Sequence, residues 1–176
     1  MSHDVVVLGA SVAGLTVARR LAAEGFDILV LDPNSEFRTA AIGHGVAAVG
    51  HASTVAAMGH AYGEAAAYEH ARRNAAAMSE ITQVHPAAGT LPLLDRSLPG
   101  GDARETREVA ELFRRAGVEA RILAGPDGSS LLTDALAVDP LAYAESLRAA
   151  AVAAGAQVVH GVTVTHLTRK EGVTRV

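Results

Sequence analysis

Seven residues carry the most legible chemistry in this chain: the run Gly9-Ala10-Ser11-Val12-Ala13-Gly14 and, 18 residues beyond it, Asp32. The run stands between an apolar, β-branched stretch at Asp4–Leu8 and a stretch with helical spacing at Leu15, Ala18 and Leu21–Ala22. Asp32 closes a second apolar stretch, Phe26–Leu31. In that setting each residue type has a task. Gly9 permits a tight strand-to-helix turn, Gly14 lets the helix approach the strand, and the helix N-terminus offers unpaired N–H groups and a positive dipole to a pyrophosphate. A carboxylate at the end of the second strand can accept both hydroxyls of a ribose. Ser11 departs from the usual glycine, and a side chain there crowds a phosphate unless its hydroxyl donates to it. An acid at position 32 would meet a 2′-phosphate as a like charge, which disfavours NADP and leaves NAD and FAD open.

Other chemistries find little support. With no cysteine there is no thiolate metal site, iron–sulfur cluster, disulfide framework or cysteine nucleophile. The eight histidines include no His-x-His, His-Glu-x-x-His or i,i+4 pair, so no metal site is expected. Ser53 and Ser129 lack the Gly-x-Ser-x-Gly elbow of a hydrolase. A formal charge of −4 and a 3% aromatic content argue against a nucleic-acid partner, which needs basic residues on phosphates and rings on bases. The N-terminus has no basic segment, and the run Val5–Ala10 is too short for a signal core or a membrane span. A cytoplasmic protein with no membrane partner is the expectation.

These residues need elements to hold them. The sequence predicts a buried strand at Asp4–Leu8, a helix at Ala13–Glu24 ended by Gly25, and a buried strand at Phe26–Leu31, together a parallel β-α-β unit. Beyond Phe37–Gly50, a helical stripe is expected at Tyr68, Ala71, Ala75, Met78 and Ile81. A short strand at Thr90–Leu94 follows. Asp102 and Glu105 have capping-box spacing before a helix with Val109, Leu112, Phe113 and Ala116 on one face. Strands at Val118–Leu123 and Leu131–Val138 flank the turn Gly125-Pro126-Asp127-Gly128. Asp139-Pro140 opens a helix running to Ala154. Strands are expected at Ala156–His160 and Val162–Leu167, and a last one begins at Val173.

The segment His3–Asp32, with Thr39–Val46, Gly89–Leu93, Ala137–Pro140, Gly155–Val158 and Val162–Val164, resembles the N-terminal half of the glycine oxidase and D-amino-acid oxidase-like flavoproteins. The resemblance implies an α/β fold: a Rossmann-like FAD-binding parallel sheet, incomplete here, interrupted by an inserted α+β segment of a substrate domain. Residues 1–45 and 139–176 would belong to the FAD-binding domain and residues 46–138 to the insertion, part of the wall over the flavin. By the same resemblance Gly9, Ser11, Ala13 and Gly14 hold the FAD pyrophosphate and Asp32 the adenosine ribose. Thr39, Ala40, Gly45 and Val46 lie along the pyrophosphate and flavin, and the Val164 backbone meets the adenine.

The implied function is FAD-dependent oxidation of the C–N bond of a small amine or amino acid by hydride transfer to flavin, the cofactor supplying the chemistry. Catalytic side chains are not identified by this portion. A flavin-dependent aromatic hydroxylase, which shares the first β-α-β unit, and a catalytically silent nucleotide-binding remnant are the alternatives. A chain of this extent is expected to be a fragment of such a protein, to leave apolar sheet surface open, and to self-associate or await a missing C-terminal half.

Overall fold

The computed structural model describes residues 2–34, 45–96, 98, 102–170 and the backbone of 173–175. In chain order the elements are β1 (Val5–Leu8), α1 (Val12–Ala23), β2 (Ile28–Asp32), β3 (Val46–Ala47), α2 (Ala52–Tyr62), α3 (Glu64–Val84) and β4 (Gly89–Asp95). They continue with α4 (Ala103–Arg115), β5 (Ala120–Gly125), β6 (Gly128–Ala137), α5 (Pro140–Ala153), β7 (Gln157–His160), β8 (Thr168–Lys170) and β9 (Val173–Arg175). They form two compact units: residues 1–44 with 139–176, and residues 45–138.

The first unit is built on a parallel sheet of order β1-β2-β7, with Val5 opposite Ile28 and Leu29 opposite Gln157. The predicted β-α-β unit is therefore present. Helices α1 and α5 pack against each other over the sheet face that carries the fully buried Ile28 and Val30. Their facing residues are small, Ala18 and Ala22 on one helix and Ala144 and Ala151 on the other, which lets the axes come close. Asp139 caps α5 by accepting from the N–H groups of Leu141 and Ala142, and Pro140 occupies the first turn, where no N–H is needed.

Two expectations for this unit change. β1 is not fully buried: its residues are half-buried and Leu8 is 50% exposed, because β1 is an outer strand and the helices of the unit cover one face only. Val162–Leu167 is not a strand, since no neighbouring strand among the described residues supplies a ladder for it. The hairpin begins later, pairing Thr168 with Arg175.

The second unit is an antiparallel sheet under three helices. β6 is its central strand, with β4 along one edge and β5 followed by β3 along the other. The face bearing Leu131 and Thr133 is buried, while Leu94 and Leu123 on the opposite face are 44% and 43% exposed. Phe113, Val109, Val55, Val49 and Ala71 fill the core between sheet and helices. Of the predicted stripe, Ala71 is buried and Tyr68, Ala75 and Met78 pack against this core, while Ile81 is half-buried further along the helix. The helical stretch is divided into α2 and α3 at Gly63. The capping box on α4 is half made. Asp102 accepts from the Arg104 and Glu105 N–H groups, which hold its carboxyl below the usual carboxylate range, but Glu105 reaches His60 on α2 at 2.7 Å instead of turning back.

Two outcomes follow from this packing. Phe113→Ala is expected to destabilise the chain by about 3–5 kcal/mol in a urea titration, the magnitude of a large buried ring removed from a packed site; a loss below about 1 kcal/mol would show that the core collapses around the void. With Leu8 at 50% and Val159 at 40% exposed on one sheet, dynamic light scattering of the isolated chain is expected to show concentration-dependent association, which a monodisperse monomer across the range would contradict.

Candidate dinucleotide site

The turn from β1 into α1 is shaped by two glycines. Gly9 adopts φ +102°, a conformation that side chains disfavour, and donates its N–H to the Leu31 carbonyl at 2.8 Å. A Cβ on Gly9 would meet nothing within 4 Å, so the space beside this backbone is open to a ligand. At Gly14 the opposite holds: a Cβ there would lie 2.2 Å from the Gly9 carbonyl oxygen and 3.2 Å from Val7 Cγ1. The helix therefore starts as near to the strand end as backbone permits.

Ser11 is the N-cap of α1, its Oγ accepting from the Gly14 N–H at 3.2 Å. This use consumes a lone pair and leaves the hydroxyl hydrogen free to donate to an anion. Val12 and Ala13, both exposed, supply first-turn N–H groups that have no partner within the helix. The loop thus offers what a pyrophosphate requires, namely open space, donors, and the positive end of a helix.

Asp32 is 8% exposed and engaged through both oxygens. Oδ2 accepts from the Ala10 N–H at 2.5 Å and Oδ1 from the Asn34 N–H at 2.7 Å. Each oxygen keeps a second acceptor position, so a ribose hydroxyl can still be received. Sequence reasoning missed this bracing role, and also the turn beyond it. The Asn34 carbonyl accepts from Gly161 N–H at 3.4 Å and lies 3.2 Å from His160 Nδ1, while Val162 N–H donates to the Asp32 carbonyl at 3.0 Å. The end of β7 is thereby fastened to the end of β2, a long-range contact with no motif to announce it.

Gly9, Ser11, Ala13, Gly14 and Asp32 are brought together at the ends of β1 and β2. Val164 is half-buried in irregular chain two residues beyond Val162, whose amide is bonded to Asp32. Gly45 and Val46 belong to the second unit, where the Gly45 carbonyl accepts from Val138 N–H at 2.8 Å and Val46 is 52% exposed. Thr39 and Ala40 lie outside the described residues.

The second unit also contains a cavity of about 720 Å³ with an apolar floor of Val55, Val109, Leu112 and Ile122, rimmed by the His60–Glu105 pair. None of the glycine-loop residues lines it. Among the described residues no group of three His, Asp or Glu side chains could hold a metal ion, and no helix is long and apolar enough to cross a membrane.

A glycine turn between a parallel strand and a helix, with an acid closing the neighbouring strand, defines a dinucleotide-binding α/β protein. The chain belongs to the FAD dependent oxidoreductase family, whose model matches residues 4–176, and FAD is the cofactor of that family. No curated protein sequence matches it. Among solved structures it is similar to glycine oxidase from Bacillus cereus ATCC 14579, with TM-score 0.55 and 15% identity over 97% of this chain and 49% of that one. L-alpha-glycerophosphate oxidase from Mycoplasma pneumoniae with FAD bound gives 0.62 and 15%, over 97% of this chain and 48% of that one. L-amino acid deaminase from Proteus myxofaciens gives 0.65 and 17%, over 98% and 41%. The chain spans less than half the length of each. The family and the α/β fold expected from the sequence are both present.

The cap at Ser11 makes a prediction of its own. Ser11→Ala should lower stability by about 1 kcal/mol in urea and Ser11→Gly by only a few tenths; equal losses would remove the capping role.

Proposed function

We propose that this chain is the FAD-binding portion, with part of the substrate domain, of an oxidoreductase that oxidises the C–N bond of a small amine or amino acid. The observation that carries the reading is the open cradle beside Gly9, braced by Asp32, in a chain whose family is FAD dependent. Two of the solved structures similar to it are named for glycine and L-amino acids, which favours nitrogen-bearing substrates over the glycerophosphate of the third. We assign residues 1–44 and 139–176 to the FAD-binding domain and 45–138 to the insertion, a boundary one residue earlier than the sequence suggests.

FAD, when bound, supplies the hydride acceptor. The chain's own residues hold and orient it. The Gly9–Gly14 turn, with the backbone at Ser11 and the N–H groups of Val12 and Ala13, would receive the pyrophosphate. Asp32 would accept from the ribose hydroxyls through its remaining lone pairs while its negative charge turns away a 2′-phosphate. The Val164 backbone would lie at the adenine. Gly45 and Val46, with Thr39 and Ala40, would follow the pyrophosphate toward the flavin.

Titration of the purified chain with FAD, NAD and NADP tests the assignment. FAD is expected to bind in preference, with a change in flavin fluorescence. Gly9→Val and Gly14→Val should abolish binding, whereas Ser11→Gly should retain or improve it. Tighter NAD binding with no flavin response would reject the FAD site. On its own the chain is expected to leave the band of its bound flavin unbleached by amino acids under anaerobic conditions, and bleaching by an amino acid would show that this portion suffices for the chemistry.

A further inference from the structure

Strands β2 and β7 end side by side, with Asp32 opposite His160 in their parallel register. Paired residues of a sheet place their side chains on one face, so the His160 ring stands on the side that carries the Asp32 carboxylate. Its partner is main chain. His160 Nδ1 lies 3.2 Å from the carbonyl oxygen of Asn34, two residues beyond Asp32, and an oxygen of that kind only accepts. The ring proton therefore sits on Nδ1.

Asn34 is thereby gripped from both sides. Its N–H donates to Asp32 Oδ1 at 2.7 Å, while its carbonyl receives His160 Nδ1 and, at 3.4 Å, the Gly161 N–H. The Gly161 bond is long, so the imidazole is the nearer donor and the main restraint on that carbonyl. Val162 N–H, bonded to the Asp32 carbonyl at 3.0 Å, ties the backbone of the acid but not the Asn34 peptide. Without the imidazole that peptide can turn, and Asp32 Oδ1 then loses its donor. The carboxylate would keep only the Ala10 N–H on Oδ2, a single bond about which it can rotate.

We propose that His160 is a positioning residue of the dinucleotide site, fixing the Asp32 carboxylate, through the Asn34 carbonyl, in the orientation that receives the adenosine ribose. The proposal rests on the reading above that Asp32 takes those hydroxyls, and every residue it uses lies in the first compact unit. His160 acts through Asn34 rather than on the ligand. An acceptor already held still loses less freedom when a hydroxyl arrives, so the effect falls on discrimination at the ribose.

The test displaces FAD from the chain with ADP and with 2′,3′-dideoxy-ADP, which lacks both hydroxyls, in the wild type, His160→Leu and the donor-keeping His160→Asn. The wild type is expected to prefer ADP by about 10-fold or more, the scale of a hydrogen bond to a charged acceptor. His160→Leu should lower that ratio by about 3- to 10-fold, the scale of one neutral bond, by weakening ADP while the dideoxy compound stays within about 2-fold. His160→Asn, whose amide nitrogen can stand where Nδ1 stood, should keep the wild-type ratio. Nitrogen NMR of the His160 ring in the wild-type chain needs no substitution, and a proton on Nδ1 is expected. Equal weakening of both ligands in His160→Leu marks a merely structural role and overturns the proposal. So does an unchanged ratio, a His160→Asn that behaves like His160→Leu, or a bare Nδ1. A wild type that binds FAD but does not tell ADP from its dideoxy form overturns the ribose assignment to Asp32 and the proposal with it. A wild type that binds no FAD overturns the functional reading itself.

Discussion

The Asp32 carboxylate joins the two strand ends on which the dinucleotide site depends. By taking the Ala10 N–H on one oxygen and the Asn34 N–H on the other, it holds the glycine turn against the end of β2. A buried carboxylate needs such donors, since an unpaired charge out of water is costly, and two charge-assisted bonds satisfy it while stiffening both loops. The rest follows outward from this brace. With Ala10 fixed, Gly9 can turn and Gly14 can sit under the Gly9 carbonyl, which in turn fixes where α1 begins and where its free N–H groups point.

The second unit solves a similar problem in a similar way. His51, at the start of α2, makes no side-chain cap, and the Ala52 N–H is instead taken at 2.6 Å by Asp95, a buried carboxylate at the end of β4. In each unit a strand-terminal acid, remote in sequence, secures backbone at or just before a helix start. The partial charge of the helix N-terminus makes the arrangement favourable as well as geometrically exact in its demand for an acceptor.

How much of this the sequence discloses depends on how local the cause is. The glycine turn, the Asp139-Pro140 helix entry and the Asp102 cap were legible because each is decided by neighbours within a few residues. The parallel pairing of β1 with β2 was legible because both strands are apolar and joined by one helix. The failures share an origin in partners. Val162–Leu167 alternates like a strand but finds no ladder among the described residues, Leu8 belongs to an apolar run but lies on an outer strand, and Glu105 has box spacing but a partner in His60. His160 bonds to main chain far away, which leaves no pattern in residue types. For the site itself, the residue types at Gly9, Gly14 and Asp32 were legible, whereas the bracing by Asp32 was visible only once Ala10 and Asn34 were in place.

The division into a continuous and a discontinuous unit has a consequence for how the chain acquires its structure. Residues 45–138 are continuous in sequence and carry their own sheet and core, so this unit can begin to form before the chain beyond it is made. The dinucleotide unit cannot. Its β2 is synthesised early but pairs with β7 only after the whole insertion has emerged, a closure of high contact order that is intrinsically slow. Folding of the inserted unit, which shortens the distance its two ends must search, thereby becomes the event that lets the nucleotide fold close, and a lesion such as an opened core at Phe113 would be felt as slow maturation of a site to which Phe113 contributes no atom.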